Sequence, residues 1–298
     1  FLNNSYFVLV IFFYKEVKNM NLGTSTINII SDGIYHVDGG SVFGQIPKTK
    51  WEQWIKPDRR NRVKLALNSL VIKTPQSNIL IDTGAGTKRT DLLKEQYGLN
   101  GNKLLRGIRS LGLTARDIDI IILTSLQFDH AGGATKLDRT GVAVPSFPKA
   151  KYIVQKSAWE KANNPGQRFS GNYFEDDFLP LYEKDQLQII DGNSMIIPGV
   201  SVEVNDGPAD GHQIVLIQKG SEKIAYVADL IPTPYHLDPS VISAKDEKPN
   251  ATLEQKLKIL ETSLGNGWLL IFGHSLENKS GYISGQNGTM RFEPIDLT

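Results

Sequence analysis

Short apolar runs alternate with polar, glycine-containing breaks over most of this chain. From Thr24 the pattern is strand-like: STINIIS, then GIYHV, with a break at Asp38-Gly39-Gly40 and a polar, aromatic loop carrying Phe43, Trp51 and Trp54. Residues 65–73 (LALNSLVIK) and Asn78–Ile81 are β-branched and apolar on either side of a Pro75-Gln76-Ser77-Asn78 turn, which predicts a hairpin ending in Asp82-Thr83-Gly84. Residues 91–97 and 103–111 have helical spacing of apolar positions, and residues 119–123 read as a buried strand. Strands and helices keep alternating: KYIVQ at 151–155, a helix at 157–162, LQII at 187–190, VSVEV at 200–204, IVLIQ at 214–218 and KIAYVA at 223–228. In residues 252–264, Leu253, Leu257, Leu260 and Leu264 recur at three- and four-residue steps and predict an amphipathic helix. Residues 268–272 form the last strong strand signal. Paired strands with helices between them, and no linker or short-period repeat, predict a layered α/β fold.

Composition narrows the classes. The 298 residues are 40% hydrophobic and 22% charged, which suits a globular chain with a sizeable core. Lys plus Arg is 33 and Asp plus Glu is 32, so the net charge of +1 supplies no global field for nucleic acid or an anionic membrane. The expected partner is a small molecule, with oligomeric state left open. No cysteine is present, which excludes disulfides, thiolate metal sites and a Cys nucleophile. Any metal or acid–base chemistry therefore falls to five histidines and the carboxylates. The run YFVLVIFFY at residues 6–14 is too short to span a bilayer, which takes about 20 apolar residues. No positive charge precedes it. Residues 1–19 are read as an extension outside the fold, residues 20–298 as the domain, and the location as cytoplasmic; the rival reading of the run is a membrane-associating leader.

Side chains at the ends of strands in α/β sheets commonly line a functional crevice. Here one predicted strand runs into Thr124-Ser125-Leu126-Gln127-Phe128-Asp129-His130, another ends in Asp229, and the last ends in Gly273-His274. Each alone is an ordinary cap or turn residue. Jointly they make two imidazoles and two carboxylates, a set suited to Zn²⁺, Fe²⁺ or Mn²⁺.

These residues resemble the metallo-β-lactamase superfamily of metal-dependent hydrolases. Residues 123–133 (LTSLQFDHAGG) are similar to its His-x-His-x-Asp-His signature followed by a Gly pair, and Asp82-Thr83-Gly84 to its earlier Asp-Thr-Gly. Asp229 falls at the metal-bridging aspartate and His274 at the last metal histidine. The resemblance runs from about Ser31 to the C-terminus and implies a four-layer αββα sandwich with metals in a groove between the sheets. Quorum-quenching lactonases and glyoxalase II are more distant relatives within it.

The departures are as informative. Ser125 and Gln127 stand where the signature has its first two histidines, and Pro208 stands at the third ligand of metal site one. His212 corresponds to a trailing, supporting histidine, and Asp82 is likewise assigned a supporting place. Site two remains complete, with Asp129, His130, Asp229 and His274, and Asp129 is also assigned a catalytic role. A divalent ion bound by two carboxylates is formally neutralised and is a weaker Lewis acid than one held by three imidazoles. Three readings follow. One is a mononuclear metal-dependent hydrolase of ester, lactone or thioester bonds, with one divalent ion, zinc first and iron or manganese next. A second is a non-catalytic descendant that binds a ligand or partner. The third is structural retention without metal, with Asp129 and His130 capping the following helix. Phe43, Trp51 and His236 are candidate pocket walls, His36 reads as structural, and Gly132-Gly133 as a tight strand-to-helix turn.

Overall fold

A computed structural model describes Phe7–Val8 and residues 25–100, 103–286 and 289–297. Met20 and most of the N-terminal apolar run lie outside the described residues. Two main sheets face each other. In the first, the strands lie in the order Thr26–Asp38, Arg62–Lys73, Asn78–Ile81, Ile120–Ile122, Lys151–Gln155 and Leu187–Ile190. In the second the order is Phe7–Val8, Thr289–Pro294, Ser280–Gln286, Leu269–Ile271, Glu222–Tyr226, Gln213–Lys219, Val200–Val204 and Ser194–Ile197. Phe7–Val8 pairs in parallel with Thr289 and Met290 at the sheet's edge.

The period-2 alternation of the strands explains the layering. Ile79, Ile81 and Ile122 point between the sheets and pack with Val215, Ile224 and Ile271. Their neighbours Leu80 and Ile121 point the other way, onto Leu104 and Ile108 of the helix Leu104–Ser110 and Ala158 of the helix Lys156–Asn163. On the far side, Ala225 and Leu270 pack against Ile259 and Leu260 of the helix Pro249–Asn266. With both faces covered, the central strands read as continuous apolar runs, and the fold is the four-layer αββα sandwich. Among the described residues no helix is long and apolar enough to cross a membrane.

The chain departs from the periodicity in a few places. STINIIS and GIYHV form one strand, Thr26–Asp38, with a register irregularity between Ser31 and Gly33 that absorbs the apparent break. Asp38-Gly39-Gly40 starts a helix, Gly39–Phe43, because the Asp38 side chain accepts the Ser41 N–H at 3.0 Å. Strands Ser194–Ile197, Ser280–Gln286 and Thr289–Pro294 carry no strong apolar signal. Met195 is largely exposed, and Gly281 and Gly285 interrupt the alternation. Their neighbours in the sheet, not their own pattern, make them strands.

Parallel pairing positions the site. Asn78–Ile81 and Ile120–Ile122 run in parallel, so Asp82 and Thr124 leave the first sheet at the same end. Glu222–Tyr226 and Leu269–Ile271 are also parallel, so Asp229 and His274 leave the second sheet together. The two ends meet. Ala66 N–H donates to His274 O at 3.0 Å, and Asn68 Nδ2 donates to Ser275 O at 2.7 Å and Phe272 O at 3.1 Å.

Candidate metal centre

Two strand-end turns build one wall. Asp82 has φ 58°, a left-handed conformation that Asp tolerates better than most residues. Its buried carboxylate accepts from Thr124 N at 2.8 Å and Thr124 Oγ1 at 2.7 Å, and lies 2.9 Å from His130 Nδ1. Thr83 ties the same turn to the His130 backbone, donating from N at 2.7 Å and from Oγ1 at 2.8 Å. Gly132 and Gly133 serve this junction. A Cβ on Gly132 would lie 2.4 Å from Ala85 O, and one on Gly133 2.2 Å from Thr83 O. Gly132 itself is in the ordinary helical region, φ −57°. The pair therefore permits close backbone approach, which corrects its reading as a tight turn.

His130 lies within the short helix Phe128–Ala131, whose N-cap Gln127 makes no side-chain capping bond. Neither Asp129 nor His130 caps that helix, so the capping explanation for them does not hold. Asp129 Oδ2 instead accepts from Tyr35 OH at 3.0 Å, and His130 bridges two carboxylates: Nδ1 to Asp82 and Nε2 to Asp229 Oδ2 at 3.1 Å. Burial alone would lower the His130 pKa, but the charges of Asp229, Asp82 and Asp129 raise it well above its ordinary value. His274 Nδ1 lies 2.8 Å from Ala66 O, and its Nε2 is 2.8 Å from Asp229 Oδ1. Asp229 follows Ala228, which is held at φ 43°, a strained conformation for Ala. His212 Nε2 accepts the Asp229 N–H at 3.2 Å. Burial lowers His212 to about 4, so it is a neutral support for Asp229.

The four side chains of site two thus meet. Asp129, His130 and His274 each offer a ligand atom within 4.8 Å of the others, and Asp229 touches Nε2 of both imidazoles. Neighbouring donors of a tetrahedral zinc with ~2.0–2.1 Å bonds lie roughly 3.3 Å apart, close to the Asp229–imidazole spacings. Two buried atoms, Asp129 Oδ1 and His274 Nε2, lack a properly aligned hydrogen-bond partner. Unsatisfied buried polar atoms are costly in a folded protein, and a cation is the partner this donor set fits. The backbone carbonyl on His274 Nδ1 and the carboxylate on His130 Nδ1 hold protons on those nitrogens and leave Nε2 as the donor to an ion.

The site-one positions offer no comparable set. Gln127 and Pro208 line a cleft of about 30 Å³ with Tyr35, Asp229, His236 and His274. The Gln127 amide points to Tyr173 OH at 3.5 Å, Ser125 Oγ accepts the Gln127 N–H at 3.1 Å, and Pro208 contributes its carbonyl to Glu247 N at 3.1 Å. Of the candidate pocket walls, Phe43 and Trp51 are fully buried behind the cleft, and this corrects their placement. Phe43 stacks between Trp51 and His236, at 5.4 and 5.5 Å. Trp51 presses against Gly39, where a Cβ would lie 2.3 Å from its ring. His236 does reach the cleft, but Thr233 Oγ1 at 2.8 Å and Val42 O at 3.1 Å engage its two nitrogens. Burial takes its pKa down to about 3.

Tyr35, Lys245 and Asp246 also line the cleft, and sequence reasoning passed over all three. Tyr35 was accessible to it, since strand alternation puts Tyr35 and Val37 inward and His36 outward. Burial and then the Asp129 charge push the Tyr35 phenol well above its usual pKa, so it remains a hydrogen-bond donor. Burial raises Asp246 to about 7. Lys245 and Asp246 have no motif around them.

Comparison with known proteins agrees with this fold. An N-acyl homoserine lactonase of Bacillus cereus is 24% identical over 238 residues, covering 74% of this chain and 86% of that protein. A probable metal-dependent hydrolase from Staphylococcus aureus superposes with a TM-score of 0.85 at 25% identity, over 94% of this chain and all of that one. AidC, a dizinc quorum-quenching lactonase, superposes with a TM-score of 0.78 at 21% identity, over 94% and 98%. The sequence profile described as the metallo-beta-lactamase superfamily matches residues 63–274, a span that takes in Asp82, the Asp129-His130 turn, Asp229 and His274. With the sandwich, the strand-end cluster and that match in agreement, the chain belongs to the metallo-β-lactamase superfamily.

Proposed function

We propose that this protein is a mononuclear metal-dependent hydrolase of lactone or related ester and thioester bonds, with one divalent ion, zinc by preference, held by Asp129, His130, Asp229 and His274. The carrying observation is the convergence of Asp129, His130 and His274 within 4.8 Å, with Asp229 on both imidazoles and Asp129 Oδ1 left without a partner, beside site-one positions occupied by Ser125, Gln127 and Pro208. When bound, such an ion supplies Lewis acidity for a carbonyl oxygen and for water. Tyr35 donates to Asp129 Oδ2 and orients a carboxylate whose Oδ1 has no protein partner, so Asp129 is the candidate both for holding the ion and for accepting a proton from water. Asp82 and the Ala66 carbonyl fix the two imidazoles in their ligating tautomers. The 30 Å³ cleft admits little more than water beside an ion. The bulk of a substrate fits the adjoining 170 Å³ cavity, which shares Leu65 and His274 with the cleft and is walled by the stacked Trp54 and Tyr235. The N-acyl homoserine lactonase relatives make lactones the first substrates to try.

A non-catalytic reading has one observation in its favour: Asp229 contacts both imidazoles and closes the cluster without an ion. Metal analysis and turnover on short-chain N-acyl homoserine lactones, γ-lactones and aryl esters separate the two. The expected result is one zinc per chain and a turnover below the ~10 s⁻¹ of a typical enzyme, abolished in His274→Ala. Two ions per chain would overturn the mononuclear assignment. Absence of zinc, or no turnover above background, would favour the non-catalytic reading.

A further inference from the structure

Lys245 is the cation of the cleft. Among the described residues lining it there is no other Lys or Arg, and its Nζ lies 4.0 Å from Asp129 Oδ2. That is an electrostatic contact, too long for a hydrogen bond. No described protein acceptor lies within hydrogen-bond distance of Nζ, although only about a third of the side chain is exposed. The ammonium is therefore held at the centre with its donors free.

The segment that carries it is fastened on both sides. Ala244 N and Ser243 Oγ both donate to Ser41 O at 2.9 Å, and Lys245 N donates to Ser243 Oγ at 3.2 Å. Gly44 allows this segment to approach, since a Cβ there would lie 2.0 Å from Ile242 O. On the other side Glu247 N donates to Pro208 O at 3.1 Å and Lys248 N to Gly207 O at 2.9 Å. Lys245 is thereby joined to the loop whose Pro208 has no side-chain donor for a metal, and faces the same cleft as Gln127. A cation built into the chain thus faces the cleft that Gln127 and Pro208 also line, 4.0 Å from the Asp129 carboxylate.

We infer that Lys245 is a substrate-contacting residue whose ammonium serves as the second cation of the centre, binding the anionic oxygen of an ester-like substrate or of its carboxylate product in the cleft beside the Asp129–His274 set. This rests on the single-metal reading above. With an ion held by that set, two positive charges would act on one oxygen, which stabilises negative charge developing on a carbonyl. No bond is made or broken at Lys245. Its donors simply turn to an oxygen that the protein itself does not supply.

Acetate is the probe, because only one carboxylate oxygen, about the size of a water, has to enter the cleft. Its affinity for zinc-loaded wild type, Lys245→Met and Lys245→Arg is measured by NMR titration with ¹³C-labelled acetate, with zinc content and zinc affinity measured on the same preparations. The expected result is at least a tenfold loss of acetate affinity in Lys245→Met and retention within about threefold in Lys245→Arg. Zinc affinity should be equal or tighter in Lys245→Met, because a positive charge near the ion has been removed. A Lys245 that merely positions Asp129 would instead show weaker zinc in Lys245→Met. That result, or unchanged acetate affinity with one zinc bound, overturns this inference alone. If the wild type binds no zinc, the single-metal reading falls and this inference falls with it. Misfolding of Lys245→Met would show in its melting curve, and Lys245→Arg then carries the test: it must bind acetate, and a tenfold loss there refutes the role.

Discussion

Replacing Asp82 by Asn should separate the metal-supporting role of this carboxylate from its structural one. Asn has nearly the same shape and tolerates the left-handed backbone that position 82 adopts at φ 58°. Its carbonyl oxygen, in the place of Oδ1, can still accept from Thr124 N and Oγ1, now at 2.8 and 2.9 Å from that oxygen. Its amide, however, presents a donor to His130 Nδ1, which is 2.9 Å from Asp82 in the wild type. The imidazole then moves its proton to Nε2, the nitrogen proposed to ligate the ion. Loss of such a supporting carboxylate typically costs 10–100-fold in metal affinity, or about 1.4–2.7 kcal/mol. Competition with a chromophoric zinc chelator reads this directly. The stabilisation of the fold by saturating zinc should shrink by the same amount. Asp82→Ala is the contrasting variant. It strands the Thr124 N–H and the Thr124 hydroxyl hydrogen in a buried site, while His130 Nδ1–H keeps Thr124 Oγ1 at 3.1 Å as an acceptor, and at ~1–3 kcal/mol for each unsatisfied group it should cost at least about 2 kcal/mol of stability without any metal. If Asp82→Asn binds zinc as tightly as the wild type, the tautomer argument is wrong.

Asp246 should make stability depend on pH. Burial raises its pKa to about 7 in the folded protein, above the ~3.9 of an unfolded chain, so the folded state binds more protons between those values and stability falls as pH rises from about 4 to about 7. At 1.36 kcal/mol per pH unit this amounts to about 4 kcal/mol, so Asp246→Asn should match the wild type near pH 4 and exceed it by up to that amount at pH 8; parallel urea-denaturation curves for the two proteins across this range would refute it. A chain beginning at Met20 should keep its melting temperature to within about 4 °C, the shift that ~1 kcal/mol produces at this size, because Phe7–Val8 contributes a two-residue pair at a sheet edge. A drop of more than about 10 °C would show that residues 1–19 belong to the core.

The sequence by itself determined the layers and the chemistry available. Continuous apolar runs such as 79–81 and 120–122 can be satisfied only where both faces are covered, so the central strands and the sandwich are local properties of the chain. The candidate ligands were legible because Asp129 and His130 share one turn, and because Asp229 and His274 each follow a strong strand. What decided their meeting was parallel pairing within each sheet and the stitching of Asn68 and Ala66 across the two sheets, contacts between residues more than 200 positions apart. No periodicity encodes such pairings. The same reason explains the misplacement of Phe43 and Trp51. An aromatic residue in a polar loop looks the same in sequence whether it walls a cleft or fills the space behind it, and only packing against Gly39 and His236 put these two behind. Lys245 lies further still from any sequence signal. A lysine in an irregular segment is ordinarily a solvated charge, and it becomes the cation of the cleft only because Ser41 and Pro208, distant along the chain, hold its backbone there.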